Sequence, residues 1–110
     1  VQEFSAVAYY FARDLEKALK VPVGVIANSW GGMPAEAYTS LEALDAEPSL
    51  KYYADRARAA AKAFEAEKKN PAPNSPTALY NSLIHPLIKF PVKGAIWYQG
   101  ESNAGRAYEY

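Results

Sequence analysis

The sequence predicts an α/β fold with parallel strands near residues 22–28 and 93–98. Two apolar runs, Val21 to Ala27 and Lys93-Gly94-Ala95-Ile96-Trp97-Tyr98, have the length and composition of strands buried on both faces. Segments of helical period lie between them, and strand, helical crossover and strand is the grammar of a parallel sheet, whose crossovers are right-handed almost without exception. Each run ends in a polar or glycine-rich cluster, where open α/β sheets place their ligand crevice.

The elements follow in order. Phe4, Val7, Ala8, Phe11, Leu15 and Leu19 recur at helical spacing, with Arg13, Asp14, Glu16, Lys17 and Lys20 on the other faces, so residues 4–20 read as an amphipathic helix. The first strand follows, with Pro22 at its entrance, where a missing N–H is tolerated. Thr39 and Glu42 form a Thr-x-x-Glu capping box before Leu41 to Ala46. Leu50, Tyr53, Ala57, Ala60 and Phe64 mark a thin stripe on a longer helix. Three prolines in Asn70 to Pro76 enforce an extended surface loop. Ala78 to Ile84 reads as a further helix, curtailed at His85-Pro86 because a residue before proline avoids the helical region. Arg106, Tyr108 and Tyr110 begin what reads as another helix.

With 110 residues, half of them apolar and 22% charged, the composition is that of one globular domain or part of one. Twelve basic residues balance twelve acidic ones, so no net field favours nucleic acid or an anionic membrane surface as partner. The apolar runs are far shorter than the roughly 20 residues of a membrane helix. Without cysteine there are no disulfides and no thiolate zinc site, and the compartment stays open. The chain starts at Val1 inside a helical pattern and stops at Tyr110 inside another, which reads as an interior segment, residues 1–110, of a single domain truncated at both ends. Two strands alone would leave sheet edges unpaired, so the edges call for neighbouring strands or for a second copy, a homo-oligomer.

The first cluster is Asn28-Ser29-Trp30-Gly31-Gly32 and the second Gln99-Gly100-Glu101-Ser102-Asn103. Paired glycines alone more commonly make a strand-exit turn; the second cluster turns the reading toward a site with donors for an oxyanion. Both clusters, with Ala78-Leu79-Tyr80-Asn81-Ser82-Leu83-Ile84-His85-Pro86-Leu87 and Gly94-Ala95-Ile96-Trp97-Tyr98-Gln99-Gly100-Glu101-Ser102-Asn103-Ala104, resemble the sialate O-acetylesterase family. Phe4 to Tyr9 and Pro22 to Ile26 agree as well, while Asp45 to Pro73 is the weakest part of the resemblance. Met33 stands where that family often has a small hydroxyl residue, and Tyr38 stands where a tryptophan is expected.

The resemblance implies a partial three-layer α/β/α SGNH-hydrolase (flavodoxin-like) fold. It also implies a serine acetylesterase, related to acetylxylan esterases, acting on O-acetylated sialic acid or a related sugar without metal or cofactor. In such enzymes the nucleophilic serine lies in an earlier motif and the histidine in a later one; neither motif is in this chain, so these residues alone are expected to be inactive. The implied roles here are oxyanion donation by the Gly31 or Gly32 N–H and the Gln99 carboxamide, with Glu101 either orienting the histidine or anchoring its loop. Trp30, Tyr98, Asn103 and Arg106 are the candidate substrate-binding residues, Trp97 is assigned to the core, and His85 is read as structural. Family members are commonly secreted, periplasmic or lysosomal.

Two rivals stand beside this reading. Gly100-Glu101-Ser102-Asn103-Ala104 is nearly the nucleophile elbow of an α/β-hydrolase, with Ser102 as nucleophile; against it, the closing glycine falls one position late at Gly105 and no histidine follows. Alternatively, the nine tyrosines suit a non-catalytic carbohydrate-binding or assembly fragment.

Overall fold

The computed structural model describes residues 4–110. Ser5 caps helix α1, Ala6–Leu19, by accepting from the Ala8 N–H at 3.3 Å, and Lys20 closes it in the left-handed region, φ 55°. Helix α2, Leu41–Ala46, is capped by the Ser40 hydroxyl, which accepts from the Ala43 N–H at 3.1 Å. The cap is therefore one residue later than the capping-box reading; the Thr39 hydroxyl instead donates to the Ala35 carbonyl at 2.9 Å. Helix α3, Lys51–Glu67, follows α2 closely and packs against it, and Lys68 ends it with a left-handed cap.

Two expectations about helix ends fail in an informative way. Around Tyr80–Ile84 the chain forms a π-helical turn that runs directly into a 3-10 turn, His85–Leu87. His85 takes a helical conformation, φ −54° and ψ −41°, despite Pro86, against the local steric preference. The segment Glu101–Glu109 is 3-10 helix, interrupted at Arg106, φ −147° and ψ 43°.

The α/β expectation is overturned. Among the described residues there is no strand: 22–28 and 93–98 carry no ladder, and the observed elements are all helical. A parallel sheet, and with it the three-layer SGNH-type arrangement, is absent from the described residues. The physical reason is pairing. A strand is stabilised by inter-strand hydrogen bonds and by burial of its faces, whereas Val25, Ile26 and Ile96 are 38%, 49% and 51% exposed. Apolar composition marks a segment that can be buried; it does not supply the partner.

The core is correspondingly thin. Leu44, Tyr53 and Ala54 form its centre, with Leu50 packed against them, and Ala37, Ala57 and Leu79 are buried nearby. The α3 stripe holds as far as Ala57, while Phe64 is 40% exposed. The radius of gyration is 16.4 Å, against about 13 Å for a compact domain of this length.

Candidate functional site

Residues far apart in sequence meet at the 3-10 turn Ala35–Tyr38. Its Glu36 is buried, and the Glu36 carbonyl accepts from the N–H groups of Thr39 at 3.3 Å and Thr77 at 2.9 Å. Thr77 itself is buried with φ 66°, a conformation uncommon for a residue with a Cβ. It is held there by that bond and by Asn81, whose N–H donates to the Thr77 carbonyl at 2.9 Å.

From Glu36 a chain of polar contacts runs outward. The Arg106 guanidinium donates to Glu36 Oε1 at 2.7 Å, and Asn103 Nδ2 donates to Glu36 Oε2 at 3.2 Å. Asn103 Oδ1 accepts from the Ala35 N–H at 2.9 Å and from Gln99 Nε2 at 2.8 Å. Gln99 Nε2 also donates to the Met33 carbonyl at 3.1 Å. On its other side Arg106 donates to Glu109 at 3.3 Å and to the Tyr53 hydroxyl, and that hydroxyl donates to Glu109 at 2.5 Å.

The electrostatics follow from these contacts. The Glu36 carboxylate, above all, holds the Arg106 guanidinium beyond its ordinary value, so it stays charged at every relevant pH. Burial first, and then the bond to Glu109, push the Tyr53 phenol up. Two carboxylates share one guanidinium in this cluster, which leaves Arg106 engaged rather than open to a further anion.

A cavity of about 430 Å³ lies beside this network, with Glu36, Tyr38, Trp97, Asn103, Arg106 and Tyr110 among its walls. Gly31, Gly32 and Gln99 are not among them. Trp97, expected in the core, is 59% exposed; it meets Tyr38 edge-on at 5.4 Å and donates its indole N–H to the Tyr110 hydroxyl at 3.1 Å.

The structure thus ties the second cluster, through Gln99 and Asn103, to Met33 and Ala35 just after the first. Gly31 and Gly32 are exposed in a turn, Gly32 with φ 71°, and their N–H groups have no hydrogen-bond partner among the described residues. Trp30 and Tyr98 are exposed, 53% and 84%. Glu101 and Ser102 are exposed and make no side-chain hydrogen bond or ion pair among the described residues. No strand precedes Ser102, so the strand–turn–helix setting of a nucleophile elbow is missing. His85 is exposed and touches the Tyr80 ring edge-on at 6.2 Å. Sequence reasoning missed Glu36. Its signal was a carboxylate one residue after Ala35 in a segment too short to show a period.

The sialate O-acetylesterase of Homo sapiens is 38% identical over 104 residues, covering 90% of this chain. Over nine-tenths of its length the chain is similar to sialate O-acetylesterases. The Pongo abelii sialate O-acetylesterase is likewise 38% identical, and that of Rattus norvegicus is 32% identical over 117 residues, 91% of this chain. The chain spans 17% of the human relative and 22% of the rat one. No family model and no solved structure matches it.

Proposed function

We propose that these residues form the oxyanion side of a carbohydrate O-acetyl esterase working by serine-hydrolase chemistry, with sialic acid the first candidate sugar. The observation that carries this reading is the pair of bonds from Gln99 Nε2, one to Met33 immediately after the glycine turn and one to Asn103. The first ties the second cluster to the residue that follows the Gly31-Gly32 turn, and the second orients the Gln99 amide within its own cluster.

In this reading a serine outside these residues attacks the acetyl carbonyl, and the charge that develops on oxygen is received by preorganised donors. The unpartnered N–H groups of Gly31 and Gly32 are suited to that task. Gln99 Nε2 reaches the same turn and joins them by exchanging its bond to Met33 for one to the oxyanion. Glu101, exposed and unbonded, is free to orient a histidine; no bond supports the alternative that it anchors its loop. Trp30 and Tyr98 offer exposed aromatic faces on which a sugar ring can stack. Asn103 and Arg106, assigned by sequence to the substrate, spend their polar atoms on Gln99, Glu36 and Glu109 and so support the site from behind.

The test uses the full-length protein containing these residues. Fluorophosphonate labelling with peptide mapping should tag a serine outside residues 1–110, and acetate should be released from O-acetylated sialic acid. Gln99→Ala should then lower kcat by about 10²- to 10³-fold, the effect of removing one oxyanion donor. A tag at Ser102, or unchanged turnover in Gln99→Ala, would sink the proposal.

A further inference from the structure

The side chain of Gln99 is held in one orientation at an expense. Both its amide protons are committed, to Met33 and to Asn103, while its Oε1 is buried without a partner. A buried acceptor left unmade is unfavourable, so something else must dictate which end of the amide faces the Gly31–Gly32 turn.

The contacts identify it. An ionised carboxylate only accepts hydrogen bonds and a guanidinium only donates them. Arg106 occupies Glu36 Oε1, and Glu36 Oε2 therefore calls for a donor, which is Asn103 Nδ2. That choice turns Asn103 Oδ1 toward the Ala35 N–H and Gln99. Oδ1 in turn calls for a donor, so Gln99 must present nitrogen, and the same nitrogen reaches Met33. Reversing Asn103 would set its oxygen against the Glu36 carboxylate and N–H against the Ala35 N–H, and reversing Gln99 would set its oxygen against Asn103 Oδ1 and the Met33 carbonyl. Glu36 is anchored for this purpose at its backbone, by the N–H groups of Thr39 and Thr77.

We propose that Glu36 is a positioning residue: paired with Arg106, it fixes the Asn103 amide and through it the Gln99 amide, so that nitrogen and not oxygen faces the glycine turn. The inference rests on the esterase reading for its catalytic consequence, and on the contacts above for the relay itself. Glu36→Gln retains shape but offers a single acceptor. Arg106 can only donate and takes that acceptor, which leaves an N–H group facing Asn103. Asn103 and then Gln99 reverse, and an oxygen is set against the developing oxyanion.

The experiment compares Glu36→Gln, Gln99→Ala and the double variant in the full-length protein, by steady-state deacetylation and by site-resolved hydrogen exchange. In Glu36→Gln, kcat should fall roughly ten- to a hundredfold, the scale of a misplaced group, with KM nearly unchanged. The double variant should be no slower than Gln99→Ala, because Glu36 acts through Gln99. The Ala35 N–H, deprived of Asn103 Oδ1, should gain more in exchange rate than the amides of α3. Multiplicative losses in the double variant, or uniform acceleration of exchange across Ala35 and α3, would overturn the relay. Should Glu36→Gln not fold, Asn103→Ala, which removes the middle group of the relay and leaves Glu36 paired with Arg106, is read in the same way. If the wild-type protein shows no esterase turnover, the esterase reading fails, while exchange at Ala35 still decides the relay.

Discussion

Asn103 retains 3% of its surface and has both side-chain polar atoms bonded, whereas Ile26, in the apolar run after α1, retains 49%. The two regions are built on opposite terms. Around Asn103 a few polar groups with exact donor and acceptor demands select one arrangement, because each buried group that loses its partner is costly. Along Val21 to Ala27 the side chains are apolar and, among the described residues, the backbone has no ladder, so nothing directional fixes the segment; Gly94 to Tyr98 likewise has no ladder and is tied by the Trp97 indole N–H to the Tyr110 hydroxyl. Buried polar networks specify geometry; apolar surface specifies only that something should cover it.

The sharpest way to break this comparison is to alter one apolar side chain in each region. Leu44→Ala, at the centre of the core with 1% exposure, should lower unfolding free energy by about 2–5 kcal/mol in urea titrations. Val25→Ser, in the exposed run, should change it by less than about 0.5 kcal/mol. Equal effects would mean that the exposed run is packed in solution.

A smaller effect tests the polar side. Arg106→Ala strips the buried Glu36 carboxylate of its cation and should destabilise the fold by about 1–3 kcal/mol. Because exposed ion pairs contribute little, Arg58→Ala, which removes exposed pairs to Asp45 and Asp55, is the control expected to do less.

The smallest effect is a pH dependence. Tyr53 is pushed above its ordinary value of 10.0, chiefly by burial, so the unfolded chain loses this proton first. Its contribution to stability is complete below pH 10.0 and is lost as pH rises through the higher folded value. Denaturant midpoints should therefore fall over that alkaline range in the wild type and fall less in Tyr53→Phe.

The sequence by itself determined the helices with clear period and caps. Residues 4–20, 41–46 and the stripe from Leu50 through Ala57 were legible because a 3.6-residue repeat is a local property of the chain. It also carried the family resemblance, through Gly31-Gly32 and Gln99 to Asn103. What it misjudged were features that depend on partners. Apolar runs at 22–28 and 93–98 read as strands, yet a strand exists only when another segment bonds to it. The His85–Pro86 boundary rests on a steric preference that the 3-10 turn His85–Leu87 does not follow. Tertiary structure alone decided that Glu36, Asn103, Arg106 and Tyr53 form one network, since the contacts between Glu36 and Asn103 span 67 positions and no local pattern encodes them. Hydrogen-bond complementarity is satisfied in space, so the residues that position Gln99 became visible only when the fold brought them within reach.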